Sequence, residues 1–155
     1  MRGRARVAAT TSTEDYSDLE RFVEAQRSTY AAALAELRGG RKRSHWMWYV
    51  FPQLAGLGRS AMSERYAIAS VAEAEGYLRH PILGPRLIEC TSAVLEIEGC
   101  SAREIFGSPD DMKLRSCATL FELVSAPDSP FATLLAKYFR GERDQQTLHL
   151  LGRGG

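Results

Sequence analysis

The feature that most constrains the fold of this chain is a helix-capping signal that recurs along it. A Ser-x-x-Glu pattern stands at positions 17–20, 70–73 and 101–104, and apolar residues at steps of three and four follow it. In such a capping box the serine hydroxyl and the glutamate carboxylate satisfy the unpaired N–H groups at a helix start. Because two-residue alternation beside hairpin turns is almost absent, these signals predict an all-α protein.

Other residues mark further helix ends. Ser129 followed by Pro130 is typical of a cap with proline at the first helical position, and Asp110 and Asp144 are N-cap candidates. Glycines end several of the apolar runs. We therefore predict about seven helices, with Trp46–Phe51 as the place where a short extended segment would fit.

Length and charge limit the organisation of the chain and its partners. With 155 residues, of which 45% are hydrophobic, we predict a disordered lead-in over 1–16, a single helical domain over 17–151 and a tail over 152–155. The formal net charge of +1 gives no overall field that would draw the protein to nucleic acid. The sequence makes no prediction of the oligomeric state.

The sequence lacks the motifs of membrane, secreted and metal-binding proteins, and our predictions of compartment and cofactors rest on this. No apolar run approaches the roughly 20 residues that span a bilayer, and the first residues have no apolar stretch of a secretory signal. The three cysteines, Cys90, Cys100 and Cys117, show neither CxxC spacing nor a neighbouring histidine cluster. We therefore predict a cytoplasmic protein with reduced thiols, no membrane association, no metal and no cofactor, in which Cys117 is a buried, inert thiol.

The densest chemistry lies in RKRSHWMWYVFPQ, residues 41–53, which we term the aromatic segment. Cations such as Lys42 and Arg43 directly precede Trp46 and Trp48, with His45 beside them. Two interpretations stay open. The rings either fill the core or line a cleft that has cations at its rim.

A glycine turn follows the aromatic segment and runs into a helix start. Gly56 and Gly58 keep the backbone bare, and Ser60 can cap the next helix, so unpaired N–H groups there would suit a phosphate or a carboxylate. An ordinary turn is the plain alternative. The residues expected to bind an anionic small molecule are Lys42, Arg43, His45, Trp46, Trp48, Gln53, Gly58, Ser60, Ser63, Tyr66 and Ser116.

Four stretches of the chain also resemble a known family. They are AQRSTYAAALAELRGGRKRSHWMWYVFPQLAGLGRSAMSERYAI, YLRHPILGPRL, EIFGSPDDMKLRSCATLFELV and YFRGERDQQTLHLL. They resemble the domain of unknown function 1810 family over nearly everything from Leu19 to Leu151. The resemblance implies a compact, mainly helical cytoplasmic domain with no established activity. Cys117 and Ala118 depart from the family pattern, which usually has serine and methionine there.

The second half is more distantly similar to the helical NADAR family, whose members are associated with NAD and ADP-ribose derivatives and include N-glycosidases. In both, a lysine on an acidic helix precedes a helix that ends in a glycine turn and an acidic residue. The matching positions are Lys113, Gly141 and Asp144. The glutamate and tryptophan-glycine elements expected nearer that family's C-terminus are missing.

This similarity implies Lys113 and Asp144 as candidate catalytic residues, and the carboxylate that such a reaction needs makes Asp111 the third candidate. Cleavage of an N-glycosidic bond passes through an oxocarbenium-like state that a carboxylate and a nearby cation would stabilise. However, Asp111 and Lys113 would point about 200° apart on a helix. Each candidate also has a structural interpretation, as a partner of the helix dipole, a salt-bridged cation or an N-cap.

Three functions are therefore left open by the sequence. They are a nucleotide-sugar or ADP-ribose-related N-glycosidase-like enzyme, a non-catalytic binding module for a nucleotide or a modified macromolecule, and a helical protein-interaction domain. For the first two, we expect the aromatic segment to fold against the DDMKLRSC helix and form one pocket. Trp46 or Trp48 would line it, with Lys42, Arg43 or Lys113 at its mouth.

Overall fold

A computed structural model of the protein describes residues 18–153, and its regular structure is helical. Within that range no strand forms, and a single isolated bridge joins Leu54 and Ile68. The all-α prediction is confirmed. The helices are α1 (residues 18–27), α2 (Tyr30–Arg38), α3 (Met47–Val50), α4 (Ala61–Arg65), α5 (Val71–Arg79), α6 (Leu83–Leu95), α7 (Ala102–Phe106), α8 (Asp110–Glu122), α9 (Pro130–Phe139) and α10 (Gln145–Leu150).

The described range holds ten helices, so the prediction of about seven was wrong. One reason is that the first predicted helix is two helices. The hydroxyl of Thr29 donates to the carbonyl of Ala25 (2.9 Å), and the N–H of Thr29 donates to the carbonyl of Gln26 (3.1 Å). Because a threonine hydroxyl competes for backbone partners, α1 ends there, and the Thr29 carbonyl then accepts the first bond of α2 from Ala33.

A second correction concerns the centre of the aromatic segment. Residues 46–51 do not form the short extended segment that alternation suggested, since Met47–Val50 is a helical turn, α3. The N–H of Val50 donates to the carbonyl of Trp46 (3.2 Å). The turn buries Met47, Tyr49 and Val50 together, and burying three apolar side chains outweighs the weak local preference for a strand.

Most predicted caps are present because they depend only on residues three apart. Ser101 and Glu104 make both bonds of the capping box, Glu104 N–H to Ser101 Oγ at 3.1 Å and Ser101 N–H to Glu104 Oε1 at 2.7 Å. Ser129 and Asp144 also cap their helices. Asp110 does not, because it is already the first residue of α8 and Pro109 holds the cap position. Ser17 and the predicted lead-in lie outside the described residues.

Helix α8 lies at the centre of the packing and contacts α5, α7, α9 and α10. Its buried residues belong to one apolar cluster with the buried residues of the other helices. Burial of each large apolar side chain contributes roughly 1.5–3 kcal/mol. The largest fully buried side chains are Trp46, Tyr77, Phe22, Phe51, Phe121 and Phe131.

One carboxylate fixes the start of the aromatic segment. Glu36 accepts hydrogen bonds from the N–H groups of Arg43 (2.7 Å) and Ser44 (3.0 Å), from the Ser44 hydroxyl (2.5 Å) and from the Trp46 indole (2.9 Å). Although burial raises the pKa of the Glu36 carboxyl, these hydrogen bonds outweigh it and lower the pKa to about 2. The Glu36 side chain, on α2, thereby holds in place the loop that leads into α3.

Candidate anion-binding cleft

A narrow cleft lies where the aromatic segment meets the first turn of α8. Its lining residues are Met47, Trp48, Phe51, Gln53, Ser63, Tyr66 and Lys113. Its empty space is about 220 Å³ including the part open to solvent, and its interior has room for about one water molecule. The cleft, named here the Trp48 cleft, can therefore admit one small group of a ligand but no whole nucleotide in this conformation.

Two lysines and one carboxylate lie at the side of the cleft. The Lys42 ammonium is 3.0 Å from Asp110 Oδ2, and the Lys113 ammonium is 3.8 Å from Asp110 Oδ1. Lys113 also lies 5.8 Å from the centroid of the Trp48 ring. These three charged residues, which we term the lysine–aspartate cluster, carry a net charge of +1. The cleft therefore has an excess of positive charge beside an aromatic wall.

The carboxylate in this cluster is Asp110, which sequence reasoning treated only as a helix cap. Asp110 and Lys113 are three positions apart and share a helix face, whereas Asp111 and Lys113 do not. Asp111 Oδ1 accepts instead from the N–H of Met112 (2.8 Å), and Asp111 does not line the cleft. The i, i+3 spacing in the sequence was the signal that could have selected Asp110.

Two polar groups of the lining are left unpaired. Among the hydrogen bonds of the described residues, none involves the Gln53 amide or the Tyr66 hydroxyl. Ser63 is different, because its Oγ accepts from the Ser60 hydroxyl (2.9 Å) while its N–H donates to Ser60 Oγ (3.1 Å). The amide and the phenol are therefore available to a ligand or to solvent.

The glycine turn supports the cleft from behind and does not form a bare anion site. A Cβ on Gly58 would lie 2.4 Å from Ser63 Cβ and 3.2 Å from Gln53 Nε2. Gly58 is thus required for close packing against two lining residues, while the positive φ of the turn, 99°, belongs to Gly56. The N–H of Ser63 is already satisfied by Ser60, as expected for a helix cap.

Several predicted ligand-binding residues lie away from the cleft. Trp46 is only 1% exposed and packs against Phe51 and Phe106, so the core interpretation applies to it. Arg43 and His45 are exposed and do not line the cleft. Ser116 is buried on α8, and its hydroxyl donates to the carbonyl of Met112 (3.2 Å), a bond within the helix.

Asp144, the third catalytic candidate, is the N-cap of α10 and does not line the cleft. Its Oδ2 accepts from the N–H (3.0 Å) and the hydroxyl (2.5 Å) of Thr147, and its own N–H donates to the Thr119 hydroxyl (2.8 Å). Arg115 lies 4.0 Å from the other carboxylate oxygen. The structural interpretation accounts for these contacts. Gly141 ends the preceding helix region with a φ of 75°, beside Arg140 in the left-handed conformation.

Neither the cysteines nor the acidic residues suggest further chemistry. The Cys117 thiol is buried, as predicted, and burial raises its pKa well above its usual range, which disfavours the reactive thiolate. Over residues 18–153, no group of three or more His, Cys, Asp or Glu side chains is placed to hold a metal ion. The helices of that range are also all too short or too polar to cross a bilayer.

A second groove lies at the C-terminal ends of α2 and α6. It has about 610 Å³ of empty space, much of it open to solvent, and its lining includes Arg38 and Glu96. Arg38 is 3.4 Å from Glu89, and the groove contains none of the predicted site residues. Its openness and lack of an aromatic wall make it a poorer ligand site than the Trp48 cleft.

Comparison with known proteins shows the family to which the chain belongs. The crystal structure at 1.38 Å of the conserved hypothetical protein Rv1873 from Mycobacterium tuberculosis is 53% identical to it, with a TM-score of 0.85. The match covers 87% of this chain and 96% of that one. No curated protein matches the chain significantly. The model of the family described as "Protein of unknown function (DUF1810)" matches residues 16–151, so the chain belongs to the DUF1810 family.

Proposed function

We propose that this protein is a binding module that captures the anionic group of a nucleotide or phosphosugar in the Trp48 cleft. The observation that carries the proposal is the position of Lys113, whose ammonium lines the same cleft as the half-buried Trp48 ring. A cation beside an aromatic face suits a ligand that combines a phosphate with a flat ring. Stacking on such a face contributes about 1–3 kcal/mol per base.

Charge in the lysine–aspartate cluster supports an anionic ligand. Lys113 is separated from Asp110 by 3.8 Å, which is longer than a close ion pair, and its side chain is 25% exposed. Its ammonium therefore retains donor capacity toward the cleft. Because two cations share one carboxylate, an incoming anion meets a net attraction.

The polar lining supports recognition of more than charge. The Gln53 amide offers both a donor and an acceptor, and the Tyr66 hydroxyl can also do both. Because the interior has room for about one water molecule, one oxygen of a terminal phosphate or carboxylate would enter it, while the rest of the ligand stays outside, over Trp48. Such a geometry fits a free small molecule and equally a modified group that projects from a macromolecule.

One observation favours a second candidate, the NADAR-like N-glycosidase. A carboxylate, that of Asp110, lies beside the cleft next to Lys113, and cleavage of an N-glycosidic bond needs a negative charge near the developing oxocarbenium ion. In this candidate Asp110 takes the role that the sequence analysis gave to Asp111. The enzyme would break the bond between the sugar carbon and the base nitrogen, whose electron pair leaves with the base. Water would form the new C–O bond at that carbon and release its proton to the leaving base or to solvent.

A thermal-shift screen separates these functions. The compounds are NAD, ADP-ribose, nucleotides, riboflavin phosphates and sugar phosphates. Binding predicts a saturating rise in Tm for at least one of them, since a ligand at about 100 times its Kd adds roughly 2.7 kcal/mol of stability. The rise should be lost in Lys113→Ala and kept in Arg43→Ala, a matched control that removes an exposed cation next to Lys42.

The outcomes of the screen assign the function class. Product formed from a hit compound would favour the glycosidase over the binding module. If no compound raises the Tm, both proposals fail and a helical protein-interaction domain becomes the better proposal. The cytoplasmic location predicted from the sequence belongs to the proposal in each case.

A further inference from the structure

We propose that Asp110 is an internal competitor for the ligand's anionic group, and that Lys42 promotes ligand binding indirectly by drawing Asp110 away from Lys113. This inference rests on the proposed function of the Trp48 cleft. In this inference Asp110 limits the affinity of the cleft for the anionic group, and Lys42 is a positioning residue that acts through Asp110.

The two lysines of the lysine–aspartate cluster differ in their distance from Asp110 and in their exposure. Lys42 is the closer partner of Asp110, at 3.0 Å, and its side chain is only 9% exposed. Lys113 is the more distant partner, at 3.8 Å, and the more exposed one. Lys113 lines the Trp48 cleft, whereas Lys42 and Asp110 do not. Asp110 is therefore shared between a buried lysine and a lysine that faces the ligand.

Lys42 is held in place by groups outside the cleft. Its N–H donates to the carbonyl of Ile105 (2.8 Å), and its ammonium lies 5.1 Å from the centroid of the Trp46 ring. Trp46 is in turn bonded to Glu36 and sealed in the core. Lys42 is thus a fixed cation whose nearest carboxylate is that of Asp110.

Competition follows from the charges. A carboxylate near the Lys113 ammonium neutralises part of its charge, so an incoming anion must replace that interaction. Lys42 reduces the cost, because its ammonium is the closer partner of the Asp110 carboxylate, at 3.0 Å against 3.8 Å for Lys113. For partly exposed ion pairs such an effect changes an equilibrium by up to about fivefold.

The test measures binding of inorganic phosphate by equilibrium dialysis with radiolabelled phosphate, on the full chain. The variants are Asp110→Asn, Lys42→Met, the double variant, Lys113→Ala and the control Arg43→Ala. We expect Asp110→Asn to bind phosphate about two- to fivefold more tightly and Lys42→Met to bind it more weakly by a similar factor. In the Asp110→Asn background, Lys42→Met should change the affinity by less than about twofold, because Lys42 acts only through Asp110.

Each other outcome has a definite meaning. If Asp110→Asn leaves the affinity unchanged or lowers it while Lys113→Ala abolishes binding, the inference is overturned and the proposed function stands. Equal weakening by Lys42→Met in both backgrounds would show that Lys42 touches the anion itself, which also overturns the inference. If neither the wild type nor Asp110→Asn binds phosphate, both proposals fall. Should Lys42→Met not fold, Asp110→Asn still decides, and Lys42→Arg, which keeps the charge, should bind like the wild type.

Discussion

The aromatic segment has two faces that differ in whether their polar groups are hydrogen-bonded. On the anchored face, formed by Trp46 with Glu36 and Phe106 packed beside it, the Trp46 indole is bonded and the two rings are buried. On the cleft face, formed by the lining residues of the Trp48 cleft, the Gln53 amide and the Tyr66 hydroxyl are unpaired within residues 18–153, and Lys113 is only loosely paired. Under the proposed function, the anchored face provides stability and the cleft face binds the ligand.

The largest expected effect separates the two tryptophans. Trp46→Ala should lower the free energy of unfolding by about 3–5 kcal/mol, because it leaves a cavity in the core and removes the indole partner of Glu36. Trp48→Ala should cost only about 1 kcal/mol, since that ring is half-buried. Urea unfolding of both variants measures the difference. Equal losses of stability would remove the distinction between the faces.

The next effect tests the packing behind the cleft face. Gly58→Ala should cost about 1–3 kcal/mol, because its Cβ would lie 2.4 Å from Ser63 Cβ. Gly39→Ala is the matched control, as its φ is −80° and its added Cβ would have no neighbour closer than 3.4 Å. Thermal unfolding of the pair provides the measurement. A stable Gly58→Ala protein would mean that the turn has room to move.

The sequence predicted the parts of this molecule that depend on near neighbours. The caps at Ser101, Ser129 and Asp144 each need only a group three residues further on, so local patterns sufficed. The helical turn of α3 was missed because burial of its side chains against distant residues decides it. The break before α2 was missed because the helical periodicity continues across Thr29, whose own hydrogen bonds interrupt the helix. The helical class was therefore predictable, while the number of helices was not.

The candidate site was less predictable for the same reason. Lys42 pairs with Asp110 although the two are far apart in sequence, and no local pattern shows that contact. Sequence alone also could not tell which tryptophan is sealed, since both belong to one aromatic run. It did place Trp48, Gln53 and Lys113 among the candidates, and the structure brings these three to one cleft.

A third effect separates ligand binding from stability by comparing substitutions at two charged residues. Lys113→Ala should weaken binding of an anionic ligand at least about tenfold, because a charge-assisted hydrogen bond is lost, and should change stability by under about 0.5 kcal/mol. Asp144→Ala should do the opposite, with a loss of about 0.5–2 kcal/mol from the missing cap and no change in ligand affinity. Dialysis and urea unfolding on both variants give the four values. Loss of folding in Lys113→Ala would make that lysine structural.

The fourth effect concerns pH and the anchored face. The folded-state pKa of Glu36 is lowered to about 2, so its ionised form contributes stability above the usual carboxyl pKa of 4.5. That contribution should be lost as the pH falls from about 5 toward about 2. Glu36→Gln should lack this part of the pH dependence. The check is the difference in urea midpoint between the two proteins across that range, and a constant difference would contradict the role given to Glu36.

Binding of an anionic ligand in the Trp48 cleft is tested most directly by the fluorescence of Trp48 during titration with ADP-ribose and with inorganic phosphate. The chain has 2 tryptophans, and Trp46 is sealed, so a change in emission on ligand addition reports on the Trp48 cleft. We expect a saturable change in the wild type that disappears in Trp48→Phe and in Lys113→Ala. A saturable change that persists unaltered in Lys113→Ala would contradict this expectation, and so would the absence of any change with both compounds.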